Sequence, residues 1–490
     1  MRKYYLLIIL AVFVLSCQGK KESNNQPNVL FIMVDDLNDW IGCMGGHPDT
    51  QTPNIDKLAS EGVLFTNAHC TAPLCSPSRI SIVTGKYPTS SGFYMNNQPF
   101  GKDSVDVMRL TRFFKENGYY VCGAGKLYPD YSESGLKKDF DEYHKIDTNA
   151  VYNINQYIFN NGPAGRFKRW VLDGGPLDTE DDKMIDGYNS KWAADKLKQE
   201  EFEKPFFMAV GIFRPHIDWF VPRKYFEKFD PEKIALANVK ENDLDDVPPY
   251  GKELALCTGD AETLKRCHQE RKATAAYLAC VNFADAMIGR VLDALENSKY
   301  RDNTVVVLCS DHGWHHGEKE HWRKFTLWQK GTRVPFILKV PQAQNNGKTC
   351  NEPVSLVDIY PTLLDLCGLP ANQTNDGKSI APLVLEKDVD WDRPVLVTYG
   401  RGNNSIKDER YNYIQYYDGT EELYDREKDP NEWTNLAQNT DYAAQISRLK
   451  KYIPLESAPN KPKPNGSTKI EPWHKTYSYI NGLDVEFMDW

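Results

Sequence analysis

Cys75-Ser76-Pro77-Ser78-Arg79, followed by Thr84-Gly85-Lys86, is the stretch of this sequence best equipped for chemistry. Pro77 has the fixed φ that suits the first turn of a helix. Ile80, Ile82 and Val83 would carry that helix into a core. A helix starting here leaves its first N–H groups unpaired, so Cys75 would stand at a positive, anion-binding end. Arg79, one turn on, adds a guanidinium fork.

Other groups suit the same kind of site. Asp35 and Asp36 end an apolar run. Adjacent carboxylates beside a core are costly unless a cation pairs with them. Asp311 and His312 lie in Ser310-Asp311-His312-Gly313. Mostly oxygen donors with one ring nitrogen suit Ca2+ or Mg2+. Lys126, after Gly125, and Lys324, in His321-Trp322-Arg323-Lys324-Phe325-Thr326, are candidate cations for an anionic ligand. His216 follows Arg214-Pro215 directly after another apolar run.

These groups need elements to bring them together. Asn28 to Val34, Tyr119 to Ala124, Phe206 to Ile212 and Thr304 to Leu308 read as strands of a parallel sheet buried on both faces. Asp35 and Asp36 follow the first, Lys126 the second, His216 the third, Asp311 and His312 the fourth. In open α/β sheets ligands sit at that carboxyl edge. Pro335 to Val340 predicts a further strand. Helices are predicted over Asn54 to Glu61 with Asn54 as N-cap, Leu110 to Asn117, Asn189 to Glu200, Thr263 to Asn297 and Leu356 to Cys367. Asp130 to Asp186 and Pro222 to Pro249 read as loops facing substrate. Beyond about Asp390 the Tyr-rich runs Val395 to Tyr399, Tyr411 to Tyr417 and Glu422 to Tyr424, with a turn at Asp418-Gly419, predict a small antiparallel sheet. A helix over Asp441 to Tyr452 follows.

The pentapeptide from Cys75 resembles the signature of the type I, formylglycine-dependent sulfatases. PNVLFIMVDDL, TPNIDKLASEGVLF, PFFMAVGIFRPHI and SDHGW are similar to the iduronate-2-sulfatase-like branch. The likeness runs from about Asn28 to Leu436. It implies an alkaline-phosphatase-like α/β fold: a large mixed sheet flanked by helices, then a small C-terminal antiparallel sheet with a helix. It implies that a maturation enzyme oxidises Cys75 to formylglycine, whose hydrate attacks sulfur. It implies one Ca2+ held by Asp35, Asp36, Asp311, His312 and residue 75. Arg79, Lys126 and Lys324 would then surround the sulfate, and His216 would serve the leaving oxygen. The family also places a His two or three residues after the Lys of its Gly-Lys pair. Here Lys126 is followed by Leu127-Tyr128-Pro129-Asp130. Either another residue such as His321 or His144 is expected to take over, or turnover is expected to be slow; His315 and His316 are further candidates or rim residues.

Composition is consistent with this reading. The chain has 490 residues, 41% of them apolar, enough for a large core. A net charge of −9 argues against a nucleic-acid partner. Arg2 and Lys3 precede an apolar run to Leu15, then Ser16-Cys17. That run is short for a membrane span. It resembles a bacterial lipoprotein signal with Cys17 lipidated, or else ordinary secretory cleavage nearby. Either way the protein is expected to be exported, in the first case tethered to a membrane facing the periplasm or cell surface. The expected layout is signal 1–17, tether 18–27, catalytic domain 28–389, C-terminal subdomain 390–456 and tail 457–490. Eleven Cys leave an odd remainder for any disulfide framework, though Cys257 and Cys267 are close enough to bridge.

The expected substrate is an oligosaccharide from a sulfated polysaccharide, algal such as ulvan or a glycosaminoglycan, attacked from its end. Arg214 is a candidate partner for a uronate carboxylate. The rivals are a phosphonate or phosphate-ester hydrolase of the same superfamily and a glycan-binding lipoprotein with impaired catalysis.

Overall fold

The structure is a computed structural model that describes residues 26–96, 98, 100, 107–128, 133–147, 151, 172–386 and 389–461. The signal segment, Cys17, nearly all of the tether, much of the 130–186 loop and the tail beyond 461 lie outside the described residues.

The five predicted apolar runs join three further short strands, one of them inside the stretch read as loop over Asp130 to Asp186, in one eight-stranded sheet. They are β1 (Asn28–Val34), β2 (Val63–Phe65), β3 (Tyr120–Gly125), β4 (Glu142–His144), β5 (Phe206–Ile212), β6 (Thr304–Ser310), β7 (Phe336–Lys339) and β8 (Thr349–Cys350). Their spatial order is β8-β2-β7-β6-β1-β5-β3-β4. β7 runs antiparallel to both its neighbours, and every other pairing is parallel. The sheet is therefore mixed.

Alternation along the central strands feeds two cores. Val29, Phe31 and Met33 point to one face, while Leu30, Ile32 and Val34 point to the other. Because both faces are covered, β1 has no polar face and reads as an unbroken apolar run. The first face packs against α2 (Cys75–Thr84). The second packs against α3 (Ile185–Gln199) and the long α4 (Glu270–Glu296).

The C-terminal strands β9 (Val395–Thr398), β10 (Asn404–Lys407), β11 (Tyr411–Gln415) and β12 (Glu421–Asp425) form an antiparallel sheet in sequential order. One side, with Val395, Val397, Ile414 and Tyr424, joins the first core of the large sheet. The other side, with Leu396, Ile406, Tyr413 and Leu423, packs on Leu449 of α5 (Ala443–Lys450).

Several local expectations are corrected. The pattern over Thr263 to Asn297 is two helices, Asp260–Arg266 and α4, separated by His268 with φ 57°. No Gly or Pro marks that break in the sequence. Asn54 is not an N-cap: α1 (Pro53–Glu61) begins one residue earlier, and no side chain of its own segment caps it. Asp285 of α4 does so instead, accepting from the Ile55 N–H at 2.8 Å and the Asn54 N–H at 3.1 Å. β10 was absent from the expected elements. All ten described cysteines are free, so Cys257 and Cys267 are not joined.

Candidate active site

Four strand ends deliver the expected polar groups to one edge of the large sheet. Asp35 and Asp36 follow β1, Lys126 follows β3, His216 lies beyond β5, and Asp311 and His312 follow β6. At the β3 end the chain must turn sharply. Gly125 has φ 81°, and a Cβ there would lie 1.9 Å from the Gly211 carbonyl oxygen. Only glycine lets this turn carry Lys126 over the end of β5.

Cys75 is the first residue of α2, as the Pro77 pattern predicts. It is 8% exposed. Asn96 Oδ1 accepts from the Ser76 N–H at 2.9 Å and so occupies one of the helix's free donors. Cys75 Sγ lies 3.3 Å from His312 Nε2 and 3.1 Å from Lys324 Nζ. Lys324 also donates to Asp36 Oδ1 at 2.5 Å. Lys126 pairs with Asp35 Oδ2. Arg79 bridges two carboxylates, with Nε 2.8 Å from Asp311 Oδ2 and Nη2 3.4 Å from Asp35 Oδ1. His216 Nε2 stands 4.0 Å from Asp36 Oδ2.

One ligand atom each from Asp35, Asp36, Cys75 and His312 falls within a 4.8 Å cluster, the spread expected of groups that share a metal ion. Asp36 Oδ2 is buried and accepts no hydrogen bond, with His216 Nε2 4.0 Å away. A buried carboxylate oxygen left in this way calls for a cation. The residues present therefore fit a hard divalent ion. Asp311 is not one of those four, but its Oδ1 lies beside them, 3.5 Å from His312 Nε2. Its Oδ1 accepts from the backbone N–H of His312 at 3.0 Å and of Asp36 at 3.3 Å, while Oδ2 is held by Arg79.

The electrostatics follow from crowding in a buried space. Burial alone would raise Asp35, but Lys126 and Arg79 outweigh it and hold the carboxyl well below its usual range. Burial raises Asp36 despite Lys324, with the neighbouring Asp35 charge adding to the rise. Asp311 is pushed up to about 7 by burial, against the pull of Arg79. Burial and the Asp35 charge push the Cys75 thiol up to about 12. An unmodified thiol here is protonated at neutral pH and a poor nucleophile. Burial, then Lys126, holds His216 well below the usual imidazole range. Its Nδ1 donates to the Ile217 carbonyl, so Nε2 is the nitrogen left for chemistry.

Not every candidate joins the site. His321 is fully buried, and its ring nitrogens face the Ala255 carbonyl at 2.6 Å and the Lys324 carbonyl at 2.5 Å. It has no nitrogen left to take a proton near Cys75, and the expectation that it does so is corrected: it braces the Lys324 backbone. His144 stacks with Tyr188 and with Trp192. His315 is bonded to Thr326 Oγ1 at 2.7 Å, and His316 is stacked on Trp40 at 3.9 Å. Both are buried and neither is a rim residue. Arg214 is 3% exposed and donates to the Phe220 and His216 carbonyls. Its guanidinium is committed to its own loop, which removes the basis for uronate recognition there.

Supporting groups that the sequence did not reveal include Tyr277, whose hydroxyl donates to the Asp36 carbonyl at 2.8 Å. Ser78 Oγ donates to the Asp311 carbonyl. Asp186 accepts from the Phe213 and Arg214 N–H groups and so orients the start of the His216 loop. None of these contacts leaves a local pattern, because each partner is distant in sequence.

A large mixed sheet with anion-gripping cations and a metal-ready cluster at its carboxyl edge defines an alkaline-phosphatase-like ester hydrolase. The fold agrees with the solved structure of the phosphonate monoester hydrolase of Agrobacterium radiobacter: TM-score 0.69 at 23% identity, over 87% of this chain and 94% of that one. The chain belongs to the sulfatase family, whose profile matches residues 27–369, and is thus a sulfuric ester hydrolase. A second profile, the C-terminal region of N-sulphoglucosamine sulphohydrolase, matches residues 317–457. A protein named sulfatase from Formosa agariphila is 38% identical over 93% of this chain and 92% of its own. The iduronate 2-sulfatase of Homo sapiens is 28% identical, over 74% of each chain. An ulvan-active sulfatase of Formosa agariphila is 27% identical over 88% of this chain and 82% of its own.

Proposed function

We propose that the protein releases sulfate from oligosaccharides derived from a sulfated polysaccharide, ulvan or a glycosaminoglycan, working from the chain end. The observation that carries this reading is the gathering of Arg79, Lys126 and Lys324 around Cys75, beside carboxylates able to hold a cation. The relatives named for ulvan and for iduronate support a carbohydrate substrate.

Asp35, Asp36, residue 75 and His312 would hold one Ca2+, with Asp311 close beside them. When bound, the ion would neutralise sulfate oxygens and lower the pKa of a hydroxyl at residue 75. Residue 75, converted to formylglycine by a maturation enzyme, would supply a hydrated aldehyde in place of an unreactive thiol. Lys126 and Lys324 would face the sulfate oxygens and stabilise charge that builds up in the transition state. Arg79 fixes the directions of Asp35 and Asp311. His216 would present Nε2 to the departing sugar oxygen and protonate it once the negative charge of bound sulfate has raised the ring's pKa and put a proton on that nitrogen.

Export follows from the basic, apolar and Ser16-Cys17 segment, with a lipid on Cys17 as membrane anchor. An exported hydrolase meets polymers that cannot cross a membrane.

The test is sulfate release across a panel of defined sulfated oligosaccharides, with matched aryl phosphate and phosphonate esters as comparators. Release from at least one sulfated sugar, exceeding turnover of the phosphorus esters, is expected. Turnover of the phosphorus esters alone would replace this reading with a phosphonate or phosphate-ester hydrolase. Saccharide binding without release would replace it with a binding lipoprotein.

A further inference from the structure

A cavity of about 480 Å³ opens directly beside Lys126. Its walls include Leu136, Tyr143, His144, Ile146, Ile185 and Phe213. Phe213 joins it to the candidate active site: Lys126 Nζ lies 4.6 Å over its ring, and its ring centre is 5.0 Å from that of His216. A group held in this cavity is thus next to both a sulfate-facing cation and the proposed proton donor.

The walls are rigid on one side and apolar on the other. Tyr143 is anchored by donating to the Gly125 carbonyl, and His144 stacks with Trp192 and Tyr188. Ile146 is 40% exposed, an unusual position for a large aliphatic side chain at the lip of a polar site. With Leu136 and Ile185 it lines one wall with aliphatic surface, while the polar members of the lining, Lys126, His144 and Lys145, belong to the rest of the cavity's wall.

We infer that this cavity receives the sugar ring that bears the sulfate, and that it selects a ring with an apolar edge, such as a 6-deoxyhexose. This rests on the proposed carbohydrate sulfatase reading and specifies its substrate. A ring CH face packs on aromatic side chains, and a methyl group in place of CH2OH fits against Ile146 and Ile185 without burying an unpaired hydroxyl.

The test uses sulfated L-rhamnosides and L-mannosides, and sulfated L-fucosides and L-galactosides. Each pair differs only in the hydroxyl on the last carbon. The wild type is expected to favour the deoxy member of at least one pair by about 10- to 100-fold in kcat/KM, the range typical of a hydroxyl entering an apolar pocket. Ile146→Ser and Ile185→Ser should bring that ratio towards one. A ratio within a single preparation is unaffected by the amount of folded enzyme, so a loss of stability cannot imitate the effect. Equal rates for both members, no turnover of either deoxy sugar while other panel members release sulfate, or a ratio unchanged in both variants would overturn the inference and leave the sulfatase reading standing. Absence of sulfate release from every sugar would instead overturn that reading.

Discussion

Lys324 lies 249 residues from Cys75 in sequence, yet places its Nζ 3.1 Å from Cys75 Sγ. The same ammonium donates to Asp36. One cation therefore ties the nucleophile position to the carboxylate cluster. Burial would lower its pKa, but Asp36 and Cys75 overcome this and keep it charged. Lys324→Met should cut kcat for sulfate release by about 10²- to 10³-fold, as loss of one preorganised charge-stabilising donor does elsewhere. Steady-state kinetics on the best panel substrate check this, and an unchanged kcat would remove Lys324 from the site.

Asp35, Asp36 and Asp311 crowd together, and without a counter-ion they repel one another. Treatment with a calcium chelator should abolish sulfate release, and Ca2+ should restore it more fully than Mg2+. Asp36→Asn should weaken Ca2+ binding as measured by calorimetry. Full activity in chelator would show that the cluster works without a metal.

The ring nitrogens of His321 face two carbonyls, one of them that of Lys324. His321→Ala should lower kcat by displacing Lys324 and should destabilise the fold by about 1–3 kcal/mol, the penalty for leaving buried carbonyls unpaired. The pH–rate profile should keep both limbs where they are. A lost or shifted limb would mean that His321 itself exchanges a proton with substrate.

Arg214 is enclosed by its own loop. Arg214→Ala should destabilise the protein and leave unchanged the kcat/KM ratio for matched oligosaccharides with and without a uronate carboxylate. A collapse of that ratio would return Arg214 to the substrate.

Asp39 pairs with Lys330 at 3.0 Å and Arg333 at 2.8 Å. Burial would raise its pKa, but these cations outweigh it and lower it from 3.8 to about 2. The folded value lies below the unfolded one, so the stabilisation is complete above about pH 4 and is lost as pH falls through 2. Urea unfolding at about pH 5 and pH 2 should show the wild type losing roughly 2 kcal/mol more than Asp39→Asn. Parallel losses in the two proteins would refute the ion pair's contribution.

By itself the sequence determined the central strands, because burial on both faces demands unbroken apolar runs such as Asn28 to Val34. It also determined which polar groups meet, since strands that share a direction deliver Asp35, Lys126, His216 and Asp311 to one edge. Cys75 at the start of α2 was legible because Pro77 and the Ile80 pattern act locally. Tertiary structure alone decided the rest. The carbonyls that occupy His321 and the turning of Arg214 into its own loop depend on where neighbouring backbone lies, which no side-chain period records. The capping of α1 by Asp285 joins residues 230 apart. The break at His268 and the strand Asn404–Lys407 oppose weak local preference, and packing overrides preferences worth only tenths of a kcal/mol per residue. Lys407 shows the reason most plainly. Its side chain is fully buried and donates to the Leu327 carbonyl, and burial lowers its pKa to about 7, a placement set by the surrounding fold and not by any local pattern.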